Sequence, residues 1–320
     1  LIDFILAISK LNNVMGSLCM TTHSNNHYYV PHGALYPVTI SAGLLALASG
    51  FIFSVATDTN KDLAYLQTPG KWMMYIGAAI IILMTFKWLS AVVIESITGQ
   101  YKKWEDKSFR IGMIAFICSE LAFFAAFFGA LFYMRIISVP DLASFDPLFT
   151  PYKDFLGTWP SVGPGGVVLG TEYTPAKLTP MGAWGLPAIN TALLLTSGAT
   201  ITWAHWGLLK DNRKQLVFGL FLTVALGTAF LVCQAFEYHE AYTHMGLTLG
   251  SGAYGATFFM LTGFHGFHVT LGTIMLIVIL LRSMKGHFSA KNHFGFEGVA
   301  WYWHFVDVVW LGLFIFVYWL

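Results

Sequence analysis

The chain has 320 residues, a formal net charge of +1, 56% hydrophobic and only 10% charged residues, and a mean hydropathy of +0.65. So few charges cannot clothe the surface of a soluble protein of this length, and no nucleic-acid partner is expected. The composition is that of a protein that crosses a membrane many times.

The first 33 residues stand apart as an N-terminal tail. LIDFILAISKLNNVMGSLCM opens apolar but has no basic leader and is too short to span. Met20 resembles a natural start, so 1–19 is expected to be an upstream extension, with a short interfacial helix as the competing reading.

A bilayer core of about 30 Å needs roughly 20 apolar helical residues. Seven segments reach that length, at about 34–56, 71–97, 111–137, 188–209, 215–236, 253–281 and 299–320. Their long continuous runs exclude a barrel, whose strands would be short and alternating. The expected fold is therefore all-α and polytopic, with seven transmembrane helices over residues 34–320. The connection from 138 to 187 is rich in Pro and Gly, which predicts an irregular outer loop. Eleven basic residues fall in one set of alternate loops and five in the other. That bias places the N-terminus inside and Leu320 outside. No internal repeat of the inverted-transporter kind is visible.

Charges and imidazoles inside apolar runs are the candidate functional residues, because they are costly there. Glu120 lies about ten residues into the third run and must be protonated, paired or hydrated. Lys87, in the second run, lies about as far from the intervening turn, so an ion pair or shared proton with Glu120 is one reading. The other is that Lys87 snorkels to the interface. Trp88, Glu95, Arg282, Lys285 and His287 gather near the inner boundary, as an anionic phospholipid headgroup would require or as ordinary interfacial anchoring would produce.

His265 and His268 are three apart on the sixth run, and His304 and Asp307 three apart on the seventh, which Glu297 opens. Two imidazoles one turn apart on one helix do not offer the two axial positions of a haem. Structural hydrogen bonding is the reading for the histidines, and a polar clasp fixing helix register for His304 and Asp307. Glu237 and Glu240, at the far end of the fifth run, are expected to face water or a partner at the outer surface. Cys19, Cys118 and Cys233 lack any paired spacing and are expected to be buried small hydrophobes.

Several stretches in order carry a resemblance: HYYVPHG, VIESITGQY, FRIGMIAFICSELAFFAAFFGALFY, WGLPAINTALLLTSGATITWAHW, FEYHEAYTHMGLTLGSGAYGATFFMLTGFHGFHV, KGHF, HFGFE and YWHFVDVVWL. Together they resemble subunit III of the haem–copper cytochrome c oxidases over residues 27–320, in detail closest to proteobacterial aa3-type members. Departures are Trp206, where many members carry a second His, Lys87, and Ile94, where some have Arg.

The resemblance implies two helices plus five around a lipid-holding cleft, in an accessory subunit without redox chemistry of its own. It places haem a and copper in partner subunits, leaves structural phospholipids as this chain's only ligands, and makes Glu120 the family's carbodiimide-reactive carboxyl. Subunit I is the implied direct partner, with subunit II and cytochrome c in the same complex. The implied role is to stabilise the catalytic subunit and support proton uptake in aerobic respiration, in a bacterial inner membrane rather than a mitochondrial one. The rivals are a quinol-oxidase or nitric-oxide-reductase homologue, which lacks the first two helices, and a free-standing proton-coupled transporter.

Overall fold

The computed structural model describes residues 35–59, 65–144, 155–164 and 179–320. The N-terminal tail, including the expected extension at 1–19, and much of the 138–187 connection lie outside the described residues.

Among the described residues seven long helices follow one another: α1 Tyr36–Thr59, α2 Gln67–Ile97, α3 Lys103–Phe132, α4 Leu186–Leu209, α5 Arg213–Thr243, α6 Gly252–Met284 and α7 Phe294–Leu313. No strand occurs among the described residues. Most helices outrun the expected spans because helix formation continues past the apolar run into polar flanks. In α3, the Lys102 amide donates to Glu105 Oε2 at 2.9 Å, and Glu105 and Asp106 suit the positive end of the helix dipole. In α5, the Asn212 side chain accepts from the Gln215 amide and caps the first turn.

At its other end α3 passes through a π-helical turn, Tyr133–Ser138, into a last helical segment, Val139–Ser144. The expected irregular loop therefore starts later than the sequence indicated. Pro140 is the second residue of that segment, just after the π-helical turn.

Among the described residues six helices are long and apolar enough to cross a membrane; α4 is the expected seventh span and falls short on apolarity. It is nevertheless 24 residues long, about 36 Å at 1.5 Å per residue. Its polarity is largely cancelled within the helix. The hydroxyls of Thr191, Thr196, Ser197, Thr200 and Thr202 all donate to carbonyls three or four residues back.

The chain divides into two compact units, one running to Ser108 with α1, α2 and the first residues of α3, the other from Phe109 with the rest of α3 and α4 to α7. Within the first, glycines seven residues apart line the contact on both helices: Gly43 and Gly50 on α1, Gly70 and Gly77 on α2. A Cβ on Gly50 would lie 2.6 Å from the Gly70 carbonyl, and one on Gly77 2.6 Å from the Leu47 amide. Small residues let the two backbones touch, which is how helices attract one another in lipid, where no hydrophobic effect drives them together.

Within the second unit α7 is the most enclosed helix, with Trp301, Tyr302, Trp303 and Trp310 all buried. Trp303 is fully enclosed because Gly227 of α5 and Gly272 of α6 leave a slot for its ring. A Cβ at either position would come within 2.8 Å of the indole. Its Nε1 donates to Ser197 Oγ of α4 at 2.9 Å, so one side chain engages three neighbouring helices. Alongside, Gly219 packs on Ala204, and Thr200 and Thr223 share a 2.8 Å hydrogen bond between α4 and α5.

Replacing Gly77 with Leu should force α1 and α2 apart and destabilise their unit by about 1–3 kcal/mol. Thermal unfolding of the purified protein measures it, and an unchanged midpoint would show that the close backbone approach is dispensable.

Candidate functional site

Glu120 sits near the middle of α3 and His268 near the middle of α6, so both lie at similar depth. Their side chains meet, with His268 Nε2 2.8 Å from Glu120 Oε2. The other ring nitrogen, Nδ1, lies 2.6 Å from the Phe264 carbonyl oxygen. A carbonyl can only accept, so Nδ1 carries a hydrogen. A single proton then remains for the Nε2 to Oε2 contact: either a neutral carboxylic acid donates to a neutral imidazole, or an imidazolium donates to a carboxylate. Both forms leave the pair with no net charge, which is what a site at bilayer depth requires.

The surroundings are aromatic. The His268 ring lies 5.0 Å from that of Phe124 and 6.4 Å from that of Tyr302, with Phe123 and Phe267 close by. Glu120 keeps 22% of its side chain exposed against 9% for His268, so the carboxyl is the more accessible end of the pair. The sequence left Lys87 either paired with Glu120 or snorkelling to the interface, and read His268 as structural. In its own unit Glu120 is served by His268, while Lys87 belongs to the α1–α2 unit. Both residues were visible at mid-helix, but which faces met was not.

The remaining candidates divide by location. Glu297, in the first turn of α7, takes a 2.5 Å ion pair from Arg110 of α3, and His293 Nε2 lies 3.8 Å away. Burial holds the His293 imidazole below its ordinary range by more than Glu297 raises it, so Arg110 is the cation of this group at neutral pH. The Arg110 guanidinium also covers the Phe294 ring at 5.6 Å. Arg110 was read only as an inner-side basic residue, and its role as a tie between α3 and α7 was missed.

His304 and Asp307 are buried, with Nδ1 and Oδ2 3.7 Å apart. Thr202 gives its hydrogen to the Gly198 carbonyl and so accepts from His304 Nε2 at 3.3 Å. Asp307 Oδ2 fills the space a side chain would need at Gly198. The two residues thus lock α7 to α4, as a clasp would. His265 is wholly enclosed between the rings of Phe230 and Trp310.

Three expectations are corrected. His265, expected to be hydrogen-bonded, reaches no protein partner among the described residues at either ring nitrogen. Glu237 does not face the outer surface; it is fully buried and accepts a 2.6 Å hydrogen bond from the Tyr318 hydroxyl, while Glu240 is exposed. The 3.6-residue period explains the split, because Glu237 shares a face with the buried Phe230 and Gln234 and Glu240 does not. Nor are the described cysteines buried: Cys118 is exposed and Cys233 half-buried, while Cys19 lies outside the described residues.

The expected lipid ligands fall in both units. Trp88 is exposed on α2, and Glu95 accepts a 2.5 Å hydrogen bond from the Tyr101 hydroxyl. Arg282, in the last turn of α6, lies 4.6 Å over the Phe288 ring, and Lys285 is exposed at the helix end. Burial, with Arg282 and Lys285 beside it, keeps the His287 imidazole below its ordinary range. The α6 terminus therefore presents two cations and a neutral imidazole.

The model of the family described as cytochrome c oxidase subunit III matches residues 26–151 and 155–320. The chain belongs to the cytochrome c oxidase subunit III family. Cytochrome c oxidase subunit 3 of Felis catus is 38% identical over 299 residues, covering 93% of this chain and 98% of that protein. Those of Dugong dugon and Halichoerus grypus are 37% and 36% identical with the same coverage. Subunit III membership accords with a multi-pass, all-helical chain. It does not depend on the Glu120–His268 geometry, which is read from this chain alone.

Replacing Arg110 with Ala should destabilise the protein by about 1–3 kcal/mol, because Glu297 loses a charge-assisted hydrogen bond. In a Glu297→Gln background the same replacement should cost clearly less. Equal midpoint shifts in thermal unfolding would mean that the two residues act independently.

Proposed function

We propose that this chain is the non-redox accessory subunit of an aa3-type cytochrome c oxidase, working in aerobic respiratory electron transport. The observation that carries the reading is a family match along nearly the entire chain, together with relatives at 36–38% identity over almost their full length. In this reading the chain packs directly on subunit I, with subunit II and cytochrome c in the same complex. Haem a and copper belong to those partner subunits. The membrane is the bacterial inner membrane, with the N-terminus cytoplasmic and the C-terminus outside; likeness to proteobacterial members is part of the same proposal.

The chain's own contribution is proton handling and lipid binding. The Glu120–His268 pair holds one proton without net charge, and moving that proton between Oε2 and Nε2 creates only a local dipole. Exchange through the more accessible carboxyl keeps the pair neutral only when one proton enters as another leaves, a coupling that suits a subunit that supports proton uptake by its neighbour. Lys87 is assigned to the inner interface, its ammonium carried there by its long side chain, and not to this carboxylate. Arg282 and Lys285, with His287, Trp88 and Glu95, are the residues proposed to hold structural phospholipid, their cations meeting the phosphate and Trp88 the interfacial zone. The family's lipid-holding cleft and two-plus-five arrangement are carried by the same proposal and rest on family membership.

Purification through a tag on this chain should yield a complex with haem absorbance and bound phospholipid. A chain that migrates alone and haem-free contradicts the assignment. Carbodiimide labelling then separates the partners of Glu120. His268→Phe removes the proton acceptor, keeps the carboxyl protonated and should raise labelling, whereas Lys87→Met should leave it unchanged. A change with Lys87→Met alone would assign the carboxylate to Lys87 instead.

A further inference from the structure

A second polar group lies away from the Glu120–His268 pair, around Trp310 and Tyr318 of the last helical stretch. On α5, Phe230, Gln234 and Glu237 recur at i, i+4 and i+7 and so share one face. Tyr318, in the π-helical turn Phe314–Trp319 that prolongs α7, donates to Glu237 Oε1 at 2.6 Å, and Gln234 lies beside the same hydroxyl. His265 of α6 packs against Trp310, ring centres 5.1 Å apart, and Trp310 against Phe230 at 4.8 Å and Tyr318 at 5.9 Å. From the α4 side, Thr191 accepts from Trp310 Nε1 at 3.0 Å, and Asn190 is its neighbour in the chain.

Asn190, Glu237 and His265 are 0% exposed and Gln234 5%. Among the described residues seven of their polar atoms reach no hydrogen-bonding geometry with protein: both amide atoms of Asn190 and of Gln234, Glu237 Oε2, and both ring nitrogens of His265. Buried polar atoms are almost always satisfied, because each one left dry carries its full desolvation cost. Seven of them dry would rival the entire net stability of a domain. The group mixes donors and acceptors: two amides, an imidazole with one of each, and a carboxyl. A bare cation or anion would satisfy only half of such a group, whereas water donates and accepts.

We propose that Asn190, Gln234, Glu237 and His265 bind a cluster of about two to three internal water molecules around Trp310 and Tyr318, each water making the usual three or so hydrogen bonds. The cluster supplies the hydrogen bonds that these seven side-chain atoms do not make directly to protein. It also hydrates the free oxygen of Glu237, so a carboxyl enclosed by aromatic rings gains a proton-exchange partner besides Tyr318.

Cryo-electron microscopy of the intact complex, at a resolution where buried waters are seen elsewhere in it, tests this without any variant. Density is expected within hydrogen-bonding distance of Glu237 Oε2 and of Asn190, Gln234 and His265. Resolved internal waters elsewhere with none here would overturn the proposal. Variants give an independent reading, because a hydrated and a dry site respond with opposite sign. Gln234→Leu or Asn190→Leu strips partners from the waters and should lower the unfolding midpoint of the assembled complex by a few degrees. In a dry site the same substitution replaces an unsatisfied amide by hydrocarbon, so a raised or unchanged midpoint would overturn the proposal.

Discussion

A polar group inside the bilayer must find its partner within the protein, and the five-helix unit is organised by that demand. Lipid tails are as apolar as leucine, so they neither drive helices together nor solvate a carboxylate. What joins the helices is close packing against small residues and a few hydrogen bonds aimed from one helix to the next. Trp303 does both, with its ring in a slot left by Gly227 and Gly272 and its Nε1 on Ser197. The Glu120–His268, Arg110–Glu297 and Glu237–Tyr318 contacts are variations on the theme, each crossing between helices far apart in sequence.

These contacts handle charge differently according to depth. Near the start of α7, where α3 begins, an arginine and a glutamate pair openly, and both keep some exposure. At mid-helix the carboxyl is matched by an imidazole whose second nitrogen is fixed by a backbone carbonyl, so the pair stays neutral wherever its proton resides. An arginine at that place would make a permanent ion pair, with no proton to yield near neutral pH. The choice of histidine is what makes the site compatible with proton exchange and also with burial.

Much of this was legible in the sequence. Seven helices follow from seven apolar runs, and polar residues in or at the ends of those runs, such as Glu120, Arg110 and Glu237, make interhelical contacts. That His304 and Asp307 share a face was readable because both lie on one helix, three apart. The Glu120–His268 pair was not, since 148 residues separate them and only packing decides which faces of α3 and α6 meet. Glu237 was misjudged from its place at a helix end, although its i, i+4, i+7 relation to Phe230 and Gln234 already pointed inward. α4 reads as a span by length but is rich in Thr and Ser, and its hydroxyls turn out to be bonded to their own helix.

The central claim is that Glu120 and His268 form one proton-sharing unit. A double-mutant cycle in thermal unfolding of the assembled oxidase, using Glu120→Leu, His268→Phe and the two combined, tests it most directly. The shared hydrogen bond predicts a coupling of at least about 1 kcal/mol, the double variant losing clearly less than the two single losses together. Strictly additive losses would contradict it.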